Sequence, residues 1–297
     1  MTEDPKRLGG PEPLLDVRGL SVTYPSATGE SAAVLDATLR VAAGEQVALV
    51  GESGSGKTSL AMAVAGFLPA SARVTAETLS FAGTALDRAG GAGVPHRTPG
   101  MAVVFQDAMT SLDPVWSVGS QLRAVIRSAT RCSRSEATDA ARSWLVRVGL
   151  TDTRRVLRSR PYELSGGMRQ RAMLALALAA GPRLLIADEP TSALDASLSR
   201  AVMELLRDLA AETGTSLLIV SHDIRLCQEF SDRMIVMYRG AIVDEGPSAQ
   251  LEATATHDYT RGLLRCVPDL DARHADRLPT LDSVRTETAA LAGRGVA

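Results

Sequence analysis

An eight-residue segment, GESGSGKT at residues 51–58, constrains this chain more than any other feature of its sequence. It directly follows the apolar run QVALV, and the order of strand, glycine-rich turn and helix is the context that a phosphate-binding loop requires. The glycines allow the backbone to curl so that successive N–H groups point at phosphate oxygens. The helix that begins near Gly56 directs its positive end at the same anion. Lys57 would add a charge for the β- and γ-phosphates, and the Thr58 hydroxyl can ligate Mg²⁺.

Lysine usage supports this interpretation of Lys57. The chain has 32 lysines and arginines, yet only Lys6 and Lys57 are lysine. A mutational bias in the source genome explains why arginine fills the other cationic positions. A planar guanidinium would not fit where a compact ammonium must lie between phosphates, so the lysine retained at position 57 is informative.

Length and composition exclude several classes of protein. The chain has 297 residues with 45% hydrophobic residues, enough for a large core, and its net charge of −2 argues against a nucleic-acid binder. No apolar run approaches the ~20 residues of a membrane span, and the N-terminus lacks the pattern of a signal peptide. The three cysteines are far apart, which excludes a disulfide framework and suits a reducing cytoplasm.

Hydrophobic patterning predicts an α/β fold with a mostly parallel sheet. From residue 183 the pattern is βαβαββ, with buried strands at 183–187 and 216–220, a helix at 196–212 and a closing hairpin around 239–240. Two segments of alternating polarity before residue 42 predict an antiparallel β subdomain, with a turn around 25–30. Apolar residues at helical spacing over 117–160 predict an inserted α-helical subdomain.

These elements suggest three regions. We expect a flexible tail at 1–13, the main domain at 14–268 with its helical subdomain at about 110–175, and a weakly ordered tail at 269–297. The helix after Lys57 should run to about residue 68, and 83–100 should form a surface loop. Residues 117–171 hold 12 arginines against 4 acidic residues. That surface either faces anionic lipid or an acidic partner loop, or is simply solvated.

Two further motifs extend the chemistry. The apolar strand in LLIADEP, residues 184–190, ends in two acids: Asp188 can hold the Mg²⁺ shell, and Glu189 is a candidate general base for an attacking water. In LSGGMRQ, residues 164–170, Ser165 is a good N-cap and the glycines leave N–H groups exposed. This is either a second anion site or only a capped helix.

Taken together, the motifs resemble those of ATP-binding cassette ATPase subunits. The segments 51–58, 164–170, 185–190 and 192–195, with Gln106 and His222, occur in that family's order and spacing. The resemblance covers roughly residues 14–268. It implies that two ATP molecules are held between two cassettes arranged head to tail, which would explain why one chain carries two anion sites.

The resemblance also implies a role for each site residue. Tyr24 would stack on adenine, and Asp195 would bridge the two cassettes. Thr58, Gln106 and Asp188 would organise Mg²⁺ and its water shell, while Glu189 polarises the attacking water and His222 holds the γ-phosphate and water in register. The phosphates would be bound by Gly51, Ser53, Gly54, Ser55, Gly56, Lys57, Thr58 and Ser59, and the partner's ATP by Ser165, Gly166 and Gly167.

A finer resemblance is to the dipeptide, oligopeptide and nickel importer ATPases. It rests on FQDAMTSLDP at 105–114, on MRQR at 168–171 and on HDYTRGLL at 257–264. It implies an ATPase on the cytoplasmic face of a membrane, paired with a second cassette of the same or a related chain, with permease subunits and, indirectly, with an extracellular solute-binding protein. No nucleic-acid partner is expected.

Two features depart from that subfamily, and one alternative stays open. Longer members end in a cysteine cluster that can hold an iron–sulfur centre, whereas here only Cys266 is nearby and one thiolate cannot hold a cluster. The final tail also lacks the usual ending. The alternative is an ATPase of a soluble enzyme complex, such as one that cleaves carbon–phosphorus bonds. A degenerate, non-hydrolysing cassette is disfavoured because no catalytic position is substituted.

Overall fold

A computed structural model describes residues 12–27, 29–86, 98–106, 111–192 and 194–265. The tail expected at 269–297, most of the tail expected at 1–13 and residues 87–97 of the expected loop lie outside the described residues. So do Cys266 and residues 107–110 of the FQDAMTSLDP segment.

An antiparallel sheet forms the N-terminal part of the structure. Two long strands, β1 (Leu15–Ser26) and β2 (Gly29–Val41), pair as the hairpin that the alternating sequence predicts. After β3 (Gln46–Val50) come β4 (Arg73–Thr75), β5 (Thr78–Phe81) and β6 (Thr84–Ala85), and the strand order in this sheet is β2-β1-β5-β6 with β4 beside β1. The expectation of a loop over all of 83–100 was wrong at its start, because Thr84 and Ala85 pair with β5.

The second sheet contains β3 and the strands β7 (Met101–Val104), β8 (Leu184–Asp188), β9 (Ser216–Ser221), β10 (Arg233–Tyr238) and β11 (Ala241–Pro247). Its order is β11-β10-β3-β9-β8-β7, and all pairs are parallel except β10 with β11. Every residue of β8 and β9 is buried, as expected for parallel strands covered on both faces. The predicted α/β fold class is confirmed.

The helices in the described part of the chain are α1 (Lys57–Ala65), α2 (Val118–Thr130), α3 (Arg134–Arg147), α4 (Thr153–Arg158), α5 (Gly166–Leu178), α6 (Ala196–Thr213), α7 (Ile224–Phe230), α8 (Leu251–Thr254) and α9 (Asp258–Arg265). The predicted extension of α1 to residue 68 was wrong. Gly66 takes the left-handed conformation at φ 79°, and its N–H bonds the carbonyls of Met62 and Ala63, which ends the helix.

The helices α2 to α4 form a small helical layer whose apolar interior is continuous with the core on one face of the parallel sheet. Leu122, Leu145 and Val148 are fully buried there, and Ser133 with Glu136 forms a capping box at the start of α3. Helix α5 joins this layer to the parallel sheet, since its buried residues belong to the same apolar cluster as Leu185 and Ala187 of β8.

Candidate functional site

Four groups of predicted site residues lie at the carboxyl end of the parallel sheet. The phosphate loop follows β3, Gln106 follows β7, Glu189 follows β8 and His222 follows β9. These four strands are consecutive neighbours and run in the same direction, so their carboxyl ends lie together at one end of the sheet. Ligands of open α/β sheets bind at the carboxyl ends of the strands, at the point where the strand order reverses. In this sheet the strand order reverses around β3.

Two glycines allow the phosphate loop to lie against neighbouring backbone. Gly51 has φ 151°, and a Cβ there would come within 2.2 Å of the Met237 carbonyl oxygen. Gly56 has φ 102°, and a Cβ there would come within 2.2 Å of the Ala33 carbonyl oxygen. Any other residue at either position would push the loop away from β2 or β10, so both glycines are required by shape as well as by backbone conformation.

The ammonium group of Lys57 is buried within the loop. Its Nζ donates hydrogen bonds to the carbonyl oxygens of Gly51 at 2.8 Å and Glu52 at 2.7 Å, and it lies 3.4 Å from Ser55 Oγ. Burial lowers the pKa of Lys57, while the carboxylates of Glu189, Asp188 and Glu52 oppose that shift. These bonds hold the only positive side chain of residues 51–58 at the centre of the loop. The loop is therefore shaped to receive an anion.

Thr58 and Asp188 meet beside the loop. The Thr58 hydroxyl donates to Asp188 Oδ1 at 3.0 Å. Burial raises the pKa of Asp188, helped by the nearby charge of Glu189 and opposed by the Thr58 hydrogen bond and by Lys57. A hydroxyl and a carboxylate are oxygen donors of the kind that Mg²⁺ prefers, so the donor set fits that ion. No cluster of three or more His, Cys, Asp or Glu side chains suited to a metal occurs within the described segments.

Glu189 is held by two polar neighbours. Its Oε2 accepts a hydrogen bond from Gln106 Nε2 at 2.9 Å, and its Oε1 lies 3.3 Å from His222 Nδ1. Glu189 has φ 45°, a left-handed conformation that is uncommon for a residue with a side chain and is found at functional sites. This left-handed residue directly follows β8, whose last residue is Asp188. The site thus contains one carboxylate beside Thr58 and a second one between an amide and an imidazole.

The second predicted anion surface lies on α5. Ser165 caps this helix by accepting a hydrogen bond from the Met168 N–H at 3.3 Å. Among the described residues, no atom lies within 4 Å of a Cβ added at Gly166, and its φ is not positive, so neither packing nor backbone conformation in the described part of the chain requires glycine there. Gln170, one turn later, donates to the Pro190 carbonyl oxygen and connects α5 to the segment after Glu189. Within the described residues, no hydrogen bond joins Ser165, Gly166 or Gly167 to the phosphate loop.

Two remaining predicted residues have local partners. Tyr24 is half-buried, and its hydroxyl donates to Ser59 Oγ on α1 at 3.1 Å, which places its ring beside the helix that follows the phosphate loop. Asp195 caps α6 by accepting from the Leu198 N–H at 3.0 Å and from Ser197 Oγ at 2.7 Å. The Ser197 and Leu198 hydrogen bonds lower the pKa of Asp195. Asp195 is exposed, so its carboxylate faces outward from this chain.

Sequence reasoning missed one contact to the phosphate loop. The Glu52 N–H donates to the Tyr259 hydroxyl at 2.8 Å across 207 positions of sequence. The HDYTRGLL segment had indicated only a subfamily, and no local pattern assigns a partner to its tyrosine. A contact of this range becomes visible only when α9 is folded against the sheet.

The described part of the chain contains no helix with both the length and the apolar character that a membrane span needs.

Comparisons with known proteins identify the family of this chain and several relatives. The family model described as ABC transporter matches residues 34–192. The chain is 40% identical over 286 residues to a putative peptide import ATP-binding protein of Brucella melitensis, covering 91% of this chain and 83% of that protein. It is 39% identical over 272 residues to the dipeptide transport ATP-binding protein DppD of Haemophilus influenzae, covering 91% of this chain and 82% of that one.

Solved structures share the fold. The structure of cbiO1 from Clostridium perfringens, part of the ABC transporter complex cbiONQ, aligns with a TM-score of 0.66 and 26% identity over 82% of this chain and 91% of that chain. A dimeric ATP-binding cassette in a post-hydrolysis state, bound to ADP and Pi, aligns with a TM-score of 0.66 and 25% identity over 79% of this chain and 98% of that chain.

Proposed function

Because this chain belongs to the ABC transporter family and is an ATPase cassette, we propose that it powers the import of peptides across a membrane. The peptide substrate class is supported by relatives named for peptide and dipeptide import, which match this chain at about 40% identity over most of both lengths. The cassette itself would not contact the peptide. It would supply the free energy of ATP hydrolysis to a permease.

The nucleotide would lie along the carboxyl edge of the parallel sheet. The backbone N–H groups of the phosphate loop and the buried Lys57 would bind the β- and γ-phosphates, with Ser53, Ser55 and Ser59 among the loop contacts. The ring of Tyr24 would stack on adenine. The observation that carries this proposal is the meeting of four strand ends, which brings Lys57, Asp188 and Glu189 to one place.

Mg²⁺ would be held by Thr58 and Asp188, with Gln106 in its water shell. When bound, the ion would neutralise charge on the phosphate oxygens. The 3.0 Å hydrogen bond between Thr58 and Asp188 supports this assignment, because it holds two oxygen ligands side by side. The raised pKa of Asp188 also fits, since a buried carboxylate gains most from a nearby cation.

Glu189 would act as the general base for in-line attack of water on the γ-phosphate. Its two oxygens are oriented by Gln106 and by His222, so the carboxylate is held before substrate arrives. Gln106 would also sense the nucleotide, because its side chain contacts Glu189. His222 would hold the water and the γ-phosphate in register. Positioning and charge neutralisation account for most of the catalysis in this chemistry.

A complete site would need two cassettes arranged head to tail. Ser165, Gly166 and Gly167 of one molecule would contact the γ-phosphate bound to the other, and Asp195 would bridge the pair. The glycine at 166 supports this arrangement, because nothing in the described part of the chain requires it and a close approach from outside would. The bond from Gln170 to Pro190 would connect this surface to the catalytic segment of the same molecule.

An exposed groove on the helical layer would receive the permease. Val115 and Trp116 are 69% and 60% exposed, and they line a cavity of about 490 Å³ with Ser117, Arg158, Arg160 and Glu163. Large apolar side chains rimmed by charged ones are typical of a docking surface for another protein. This groove follows the segment after Gln106, so a docked permease helix would respond to the state of the nucleotide site. It would place the chain at the membrane surface as a peripheral subunit.

Co-purification tests this function. We expect the tagged chain to be recovered from its native membranes with a multi-span permease and a second cassette, and its ATP hydrolysis in proteoliposomes to rise when peptide and the solute-binding protein are added. Val115→Arg should reduce the recovery of permease without changing ATP binding. Val146→Arg, at a valine that is 54% exposed on α3 outside the groove, is the matched control. Recovery in a permease-free enzyme complex would instead support the carbon–phosphorus alternative.

A further inference from the structure

The contact between Tyr259 and the phosphate loop acts on one particular peptide unit. The carbonyl oxygen of Gly51 and the N–H of Glu52 belong to the same peptide plane. The oxygen accepts the Lys57 ammonium at 2.8 Å, and the N–H donates to the Tyr259 hydroxyl at 2.8 Å. Both polar ends of this peptide unit are therefore held, one by the lysine that would bind phosphate and the other by a residue near the end of the described chain.

The conformation of Gly51 makes an external restraint on this peptide unit useful. The unit follows Gly51, which has a φ of 151° that glycine can adopt. Glycine has no side chain to limit rotation of the peptide plane. If the plane rotates, the Gly51 carbonyl leaves Lys57 and the Glu52 N–H loses its partner. One of the two carbonyl bonds that hold the ammonium group, the other being to Glu52, therefore depends on the orientation of the plane.

Tyr259 itself is fixed by its surroundings. It is 3% exposed, and its ring stacks on Tyr238 of β10 with centroids 4.1 Å apart and planes at 24°. Its own N–H donates to His257 Nδ1 at 3.1 Å at the start of α9. A phenol held in this way can present its hydroxyl at one position with little loss of side-chain entropy.

The start of α9 is anchored to the sheet as well. Asp244 on β11 accepts hydrogen bonds from the Thr256 N–H and hydroxyl at 3.0 and 2.7 Å, and from the His257 N–H at 3.0 Å. Burial acts to raise the pKa of Asp244, but the nearby Thr260 side chain and the hydrogen bonds from Thr256 and His257 outweigh it and the pKa is lowered. The Asp244 carboxylate thus stays ionised and holds the segment that carries Tyr259.

We propose that Tyr259 is a positioning residue for nucleotide binding: it fixes the 51–52 peptide unit and, through the Gly51 carbonyl, the ammonium of Lys57. This inference rests on the proposed placement of the phosphates in the loop. The proposal gives α9 a role in nucleotide binding, although α9 lies outside all the motifs that form the nucleotide site. Tyr259 acts on the Glu52 N–H, in the loop that would bind the phosphates, so its effect falls on affinity rather than on the chemical step.

The test compares Tyr259→Phe with the unmodified full-length protein. The phenylalanine keeps the aromatic ring and removes the hydroxyl that accepts from the Glu52 N–H. We expect the Kd and KM for MgATP to rise about tenfold, the effect of one lost hydrogen bond to a fixed polar group, while kcat stays within about twofold. Thr254→Val is the matched control, because its hydroxyl donates only to the Gln250 carbonyl within α8. That variant should bind MgATP as the unmodified protein does.

The outcomes separate the two proposals. If Lys57→Ala leaves MgATP binding intact, the phosphate loop is not the nucleotide site and the proposed function fails. If Lys57→Ala abolishes binding but Tyr259→Phe binds within twofold of the unmodified protein, only the role of Tyr259 is refuted. A lower Tm with an unchanged Kd would likewise refute it, because that result describes a purely structural contact. Should Tyr259→Phe not fold, Asp244→Asn, which loosens the start of α9, must weaken MgATP binding in the same direction.

Discussion

Replacing the Glu189 carboxylate by an amide separates proton acceptance from geometry. In the unmodified protein, Glu189 Oε2 lies 2.9 Å from Gln106 Nε2 and Oε1 lies 3.3 Å from His222 Nδ1. In Glu189→Gln, the side-chain oxygen can still accept from Gln106, and the new NH₂ group can face His222. The substitution keeps the side-chain volume and both neighbours. What it removes is the ability to take a proton from water.

The expected loss follows from that single change. General-base catalysis contributes about 10²–10⁴-fold, so kcat for ATP hydrolysis should fall by that factor, or about 2.7–5.4 kcal/mol of activation free energy. Steady-state release of phosphate by the purified cassette measures this. Binding of MgATP should be unchanged, since Lys57 and the loop are untouched, and ATP-dependent dimers should accumulate because they no longer reopen by hydrolysis. Light scattering with and without MgATP measures the dimer.

A matched variant guards against an effect of charge alone. Glu204→Gln removes an exposed carboxylate from α6 and should leave kcat within about twofold. The assignment of Glu189 as the base is refuted if Glu189→Gln hydrolyses ATP within tenfold of the unmodified protein while binding it normally. If Glu189→Gln loses both MgATP binding and ATP hydrolysis, the assignment is also refuted, because the carboxylate would then be needed to bind the substrate.

Three other perturbations follow from burial and capping. Asp188→Asn should raise the Tm of the nucleotide-free protein at neutral pH, by about 2–4 °C per kcal/mol relieved. Because the pKa of Asp188 is raised in the folded state, its ionised form destabilises the fold, and protonation at low pH removes that cost. The Tm difference between Asp188→Asn and the unmodified protein should therefore shrink as the pH falls, and a Tm difference that is constant across pH would contradict this. Leu145→Ala, at a fully buried position, should cost about 2–5 kcal/mol in urea unfolding, whereas exposed Val146→Ala should cost under about 0.5. Ser165→Ala should lower stability by about 0.5–2 kcal/mol through the lost cap and reduce MgATP-dependent dimerisation without weakening MgATP binding by the monomer; equal dimerisation would reduce Ser165 to a helix cap.

Much of the fold was predictable because its signals are local. The apolar runs that became β3, β8 and β9 are continuous, as strands covered on both faces must be, and the alternating residues of β1 and β2 indicate an antiparallel hairpin. The ATP-binding cassette family, predicted from motif order, is confirmed by the family model and by relatives at 40% identity. Boundaries were less predictable. The end of α1 depended on the left-handed conformation of Gly66, which the sequence permits but does not require.

The roles assigned to individual site residues stay predictions, though the structure gives them a physical setting. It brings Gln106, Glu189 and His222 into contact, and it joins Thr58 to Asp188. The exposed groove at Trp116 and the partner of Tyr259 had no sequence signal at all.

The sequence by itself determined which chemistry this chain can host, because each motif that indicates this chemistry is only a few residues long. These motifs are a glycine turn with one lysine, a strand ending in two acids and a serine-capped glycine pair. Tertiary structure alone decided which of these groups meet. The order β10-β3-β9-β8-β7 places strand ends that are far apart in the chain side by side, and it brings α9 back to the phosphate loop across 207 positions. Such contacts depend on how the strands are ordered in the sheet, and that order follows from the burial of whole faces rather than from any local pattern.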